Sequence, residues 1–178
     1  MARPWNHYEA AFEAFLRSIR IPYVSVDERR RALLGDQSLK NLDFIVSPPD
    51  QISWLIDVKG RKFPGGEEGR HYWKNWIQHE DLFSLERWEQ LFGGGFRGLL
   101  VFAYLLVRDR APVPPSEIFD FRGQAYAFVG IELDVYRRYA RPISDRWDTV
   151  AMPAPRFREH AQRAHALFEV EVSSLSAD

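Results

Sequence analysis

Asp43, Asp57 and Lys59 are the residues of this chain best placed to do chemistry. They stand in N-L-D-F-I-V and W-L-I-D-V-K, two apolar runs joined by S-P-P-D-Q. Charge inside apolar strands is costly unless it is paired or meets a cation. With a turn centred on Asp50, each residue pairs with one equally far beyond the turn, which sets Asp43 opposite Asp57. Directly opposed residues of an antiparallel pair have Cβ atoms about 4.5–5.5 Å apart. Two carboxylates that close repel unless a cation lies between them. Lys59, two residues further on, shares their face. A one-residue slip of register would move Asp43 off that face.

Positioning these groups takes a sheet and helices. Residues 6–20 read as an amphipathic helix capped by Asn6, with Tyr8, Phe12, Phe15, Leu16 and Ile19 on one side. Glu9 borders that side, where a carboxylate can reach over a sheet edge. Glu13 lies further toward solvent and stands four residues before Arg17, the favourable spacing for a helical ion pair. Glu9 is therefore favoured as the functional acid, and Glu13 takes a structural part. Residues 22–26 read as a short strand, 27–40 as a polar segment, and 41–46 with 53–59 as the hairpin. Residues 60–70 read as a glycine-rich, charged loop. Residues 73–92 read as a helix stopped by Gly93-Gly94-Gly95, with Trp73, Trp76 and Trp88 along it as packing residues. Residues 96–107 form a long apolar strand buried on both faces. A further strand is expected at 126–131, and helices at 133–139 and 157–168. That order implies an α/β (α+β) domain with a mixed central β-sheet flanked by helices.

Composition narrows the function classes. At 178 residues and 46 % hydrophobic, the chain is long enough for one globular domain with a real core. A net charge of −1 gives no global basic field, so nucleic acid would have to meet one basic face. The absence of cysteine rules out disulfides and a cysteine-based zinc site, and fits a reducing, cytoplasmic setting. No secretory leader and no apolar run of membrane-spanning length is visible, so no membrane partner is expected. His7, His71, His79, His160 and His165 include no H-E-x-x-H spacing. The glycine triplet ends a helix where a phosphate loop would begin one. No G-x-S-x-G nucleophile motif is present.

A Glu on the first helix, then Asp, then Asp-x-Lys on consecutive strands resembles the PD-(D/E)xK nuclease superfamily. The stretch Q-H-E-D-L-F-S-L-E-R-W-E-Q-L-F-G-G-G-F-R-G-L-L-V-F resembles the segment after the motif in Holliday-junction-resolvase-like members. There a helix bearing Gln leads through Gly-Gly to an apolar strand, and Gln78 matches that glutamine. H-Y-E-A-A-F-E also matches the signature of a bacterial family called HYExAFE. The resemblance covers residues 6–107, with Leu42 standing before Asp43 where the motif has Pro.

The resemblance implies a restriction-endonuclease-like αβββαβ core over residues 6–107. Residues 108–178 would be a C-terminal α/β extension of the same single domain. It also implies metal-dependent hydrolysis of DNA phosphodiester bonds, with no small-molecule cofactor. Asp43, Asp57 and the backbone carbonyl of Val58 offer oxygen ligands suited to Mg²⁺ or Mn²⁺, and Glu9 would hold a metal-bound water or a second ion. The ion would lower the pKa of a water and orient it in line with the phosphodiester. Lys59 would position that water or stabilise the developing charge. Gln78 would orient the nucleophile or touch the phosphate. Arg61 and Lys62 would neutralise flanking phosphates, with Arg29, Arg30 and Arg31 as the next candidates. A four-way junction presents two equivalent cuts, for which a homodimer would be suited. Two other readings stay open. One is a nucleic-acid-binding module on the same fold without catalysis. The other is a structural or interaction protein whose charged hairpin is simply a surface.

Overall fold

A computed structural model of the chain describes residues 6–27, 32–34, 37–66 and 73–168. Arg29, Arg30 and Arg31 lie outside them. The chain begins with α1 (His7–Ser18), β1 (Tyr23–Ser25), β2 (Ala32–Leu34), β3 (Gln37–Leu39), β4 (Phe44–Val46) and β5 (Ser53–Phe63). Next come β6 (Ile77–Gln78), α2 (His79–Phe92), β7 (Phe96–Leu106), β8 (Phe119–Phe121) and β9 (Gln124–Glu132). The described residues end with α3 (Leu133–Tyr139), β10 (Arg141–Ser144), β11 (Thr149–Ala151), α4 (Ala154–His160), β12 (Gln162–Arg163) and α5 (Ala164–Leu167).

Among the described residues the central sheet runs β1-β4-β5-β7-β9-β12, with β8 also on β9. Its pairs are antiparallel except β5 with β7, which run parallel from Ser53↔Phe96 to Phe63↔Leu106. A parallel pair needs a crossover, and α2 supplies it. The sheet is therefore mixed, with α1 on one face and α2 on the other. Phe12, Phe15 and Leu16 of α1 pack on Phe44, Val101 and Phe128. Leu82 and Leu85 of α2 pack on Leu55, Leu100, Phe102 and Leu133. β9 pairs along β7, so residues beyond 107 complete the sheet that holds the hairpin.

The hairpin has the register its apolar runs imply: Phe44↔Ile56, Ile45↔Leu55 and Val46↔Trp54, with Asp50 in the left-handed region at φ 56°. Four of the expected elements differ most from the sequence reading, and β2, β3, β8, β10 and β11 lie where it expects no strand. β4 starts at Phe44 rather than residue 41, although Asp43 N–H still donates to the Ile56 carbonyl at 2.8 Å. β5 continues to Phe63 where a loop was expected, because every residue to that point has a partner on β7. α2 starts at His79 and not at residue 73. Ile77 and Gln78 pair with Val150 and Thr149, and Gln78 N–H is capped by Asp81 Oδ2 at 3.1 Å. The expected helix 157–168 is split into α4 and α5, because Gln162 and Arg163 pair with Gly130 and Val129 at the sheet edge.

One contact fixes how α1 meets the strand that carries Asp57 and Lys59. The Tyr8 ring lies so close over Gly60 that an added Cβ would stand 2.1 Å from Tyr8 Cδ2 and 2.3 Å from Cγ. Spinning the ring about Cβ–Cγ leaves Cγ where it is, so a larger residue must displace the Tyr8 side chain or push α1 away. Gly60→Ala is expected to destabilise the protein by roughly 1–3 kcal/mol through overpacking. Thermal melts should show a drop of several degrees, while Gly94→Ala, with nothing within 4 Å, leaves Tm unchanged.

Candidate active site

Alternation along β5 puts Asp57, Lys59 and Arg61 on the α2 face and Val58 and Gly60 on the α1 face. Asp43 immediately precedes β4, just outside its regular ladder with β5. Its carboxylate Oδ2 accepts the Val58 N–H at 2.6 Å, which locks it against β5. It is 6 % exposed. Among the described residues no ion pair reaches it. Burial, the Asp57 charge and the Glu9 charge together push its carboxyl well above the usual carboxylate range. Burial also raises Asp57, and the charge of Asp81 adds to that, while Lys59 opposes the rise.

Lys59 Nζ lies 3.0 Å from Asp57 Oδ1 and 3.1 Å from Asp81 Oδ2. Burial disfavours its charge, but Asp57 and Asp81 outweigh that and hold the ammonium above its ordinary value. Asp81 was not singled out from the sequence, nor was Lys40. Lys40 Nζ reaches Asp81 Oδ1 at 2.9 Å, Gln78 Oε1 at 2.8 Å and Glu80 Oε2 at 3.4 Å. Asp81 thus bridges two lysines, and they hold its carboxyl low against the effect of its own burial. The available signal was the helix start: Asp81 is the third residue of α2, where a carboxylate caps the first N–H groups.

On α1, Asn6 caps the helix by accepting from Tyr8 N–H at 3.2 Å, and its side-chain amide donates to Glu9 Oε1. Glu9 is half-buried, and its charge is felt at Asp43. Glu13 instead accepts from Arg17 at 2.9 Å and from the Tyr23 hydroxyl at 2.9 Å. The structure therefore gathers Glu9, Asp43, Asp57, Val58 and Lys59, and keeps Glu13 in a separate surface network. Gln78 is exposed at the start of α2, joined to the cluster through Lys40. Arg61 turns inward: it donates to the Gly60 carbonyl at 2.7 Å and to the Trp76 carbonyl, and its guanidinium lies 3.9 Å from the Trp76 ring centroid. Burial lowers its pKa. Lys62 is exposed.

Asp43 is a buried carboxylate facing two other acids, the environment an oxygen-seeking cation relieves. Among the described residues no three acidic or imidazole side chains converge to enclose an ion. Mg²⁺ does not need that, since it keeps several waters and is commonly held by one or two carboxylates plus substrate phosphate. Asp43, Asp57 and the Val58 carbonyl fit such a site.

The same fold occurs in a solved protein, Hjc of Archaeoglobus fulgidus, a Holliday junction resolvase from an archaeal hyperthermophile. The TM-score is 0.52, covering 92 % of this chain and 97 % of that one, at 13 % sequence identity. No family model matches the chain, and no curated protein does. Among the described residues no helix is long and apolar enough to cross a membrane. The architecture, a mixed central sheet flanked by helices, is the restriction-endonuclease-like fold of that resolvase.

Proposed function

We propose that this protein is a Mg²⁺- or Mn²⁺-dependent nuclease that hydrolyses phosphodiester bonds of DNA. The observation that carries the reading is the placement of Asp43 against Val58 and beside Asp57, with Lys59 on the same strand and Glu9 close by. Asp43, Asp57 and the Val58 carbonyl would hold the ion, which when bound supplies Lewis acidity toward the attacking water and the phosphate oxygens. Lys59, kept protonated by Asp57 and Asp81, is an electrostatic donor to the charge building on the phosphate and not a base. Asp81, itself fixed by Lys40, aims that ammonium. Glu9 would orient a water at the rim. Lys62 and Lys74, both exposed, would meet flanking phosphates. Gln78 would touch the phosphate from the start of α2. Arg61 would contribute through the surface it stiffens, since Nη1 and Nη2 donate to backbone carbonyls.

A cleavage panel of junction, flap, duplex and single-stranded DNA with Mn²⁺ tests this. The wild-type protein should cut at least one form, and EDTA should stop it. Binding to every form without cutting any would make the protein a binding module on this fold.

A further inference from the structure

Three tryptophans lie on the chain between β5 and the end of α2, and one behaves differently. Trp73 packs edge-on against Phe63, Tyr104 and Phe157. Trp88 donates its indole N–H to the Lys40 carbonyl at 2.8 Å. Trp76 keeps 40 % of its surface exposed. The segment presenting it is held rigidly. Asn75 is buried and grips Met152, accepting its N–H at 2.8 Å and donating to its carbonyl at 3.1 Å. The Tyr136 hydroxyl donates to the Asn75 carbonyl at 2.6 Å, and the Tyr104 hydroxyl to the Lys74 carbonyl at 3.0 Å. Arg61 then lies against the indole and donates to the Trp76 carbonyl. Arg61 is two residues beyond Lys59 on the same sheet face, a step of about 7 Å along the strand. A preorganised aromatic surface, backed by a cation, therefore stands beside the proposed site.

We propose that Trp76 is a stacking surface for an unpaired nucleobase next to the cleaved phosphate, which makes DNA with unpaired bases at the cut the preferred substrate. This deepens the nuclease reading and rests on it. Any base offers a π-face, so such a surface reads no sequence. A base inside a duplex is already stacked on both sides and offers none. The Arg61 guanidinium strengthens the surface by cation–π attraction and holds it in one orientation. Lys74, the exposed lysine two residues before Trp76, supplies a phosphate contact that single strand and duplex share.

The test is fluorescence anisotropy in Ca²⁺ with a labelled oligothymidylate of about twelve nucleotides and a labelled duplex of about twelve base pairs. Trp76→Ala should weaken binding of the single strand about tenfold and shift the single-strand to duplex Kd ratio by nearly as much. Trp76→Phe, which keeps a π-face, should retain most of the affinity. Equal weakening on both probes, or none on the oligothymidylate, overturns the inference. Wild-type protein that cuts duplex with Mn²⁺ but does not bind the oligothymidylate also overturns it, and leaves the nuclease reading standing. Wild-type protein that cuts no DNA form overturns that reading, and this inference with it.

Discussion

Asp57→Asn should lower DNA cleavage about a thousandfold, equivalent to about 4 kcal/mol of transition-state stabilisation. The side chain keeps its shape and loses its charge. Two effects follow. The proposed ion loses a carboxylate, and Lys59 loses one of its two anionic partners, at 3.0 Å. Asp81 remains 3.1 Å from Lys59 and holds it in place, so the fold survives and the loss is one of chemistry. Circular dichroism and the melting curve should therefore match wild type within a few degrees while the single-turnover rate collapses. A variant that keeps more than about a tenth of the wild-type rate would remove Asp57 from the mechanism.

Asp43→Asn should stabilise the metal-free protein at neutral pH while abolishing its response to metal. Burial, Asp57 and Glu9 hold the Asp43 carboxyl well above its usual range. The folded protein thus binds that proton more tightly than the unfolded chain does. The resulting stability is fully present below the unfolded carboxylate value of about 3.9 and is lost as pH rises through the folded one. Asparagine still accepts the Val58 N–H and never ionises. Its Tm should exceed wild type by roughly 2–4 °C near pH 8, the shift that about 1 kcal/mol gives in a protein of this size. The two curves should meet near pH 4, where wild-type Asp43 is neutral as well. Mg²⁺ or Mn²⁺ should raise Tm for wild type and not for Asp43→Asn. Parallel pH profiles for the two proteins would show that Asp43 carries no such strain.

The hairpin was legible because its signals are local. Two apolar runs flank S-P-P-D-Q, and the register follows from the turn; Phe44↔Ile56 and Val46↔Trp54 are as the spacing implies. The Glu13–Arg17 pair follows equally from helical spacing. Asp81 and Lys40 were hidden because their contacts join residues far apart in the chain. Nothing in Q-H-E-D says that the crossover helix returns its first turn to Lys59. The start of α2 at His79 is hidden for a related reason. Residues 73–78 carry apolar residues at helix-compatible spacing, yet the buried side chain of Asn75 offers both a donor and an acceptor to Met152. That pairing, with Ile77 and Gln78 joined to β11, outweighs local helix propensity. A helix through Trp76 would make it a packing residue, and only the tertiary contacts leave it at the surface.

The most direct test of the central claim is the Mn²⁺-dependent cleavage rate of Lys59→Ala against wild type, on whichever DNA form wild type cuts fastest. Lys59 is held as an ammonium between Asp57 and Asp81, so its removal takes away a preorganised charge and leaves both proposed carboxylate ligands in place. The account predicts a rate roughly a hundred- to a thousandfold lower, with Mn²⁺ still raising the Tm of the variant. Equal rates for the two proteins would contradict it.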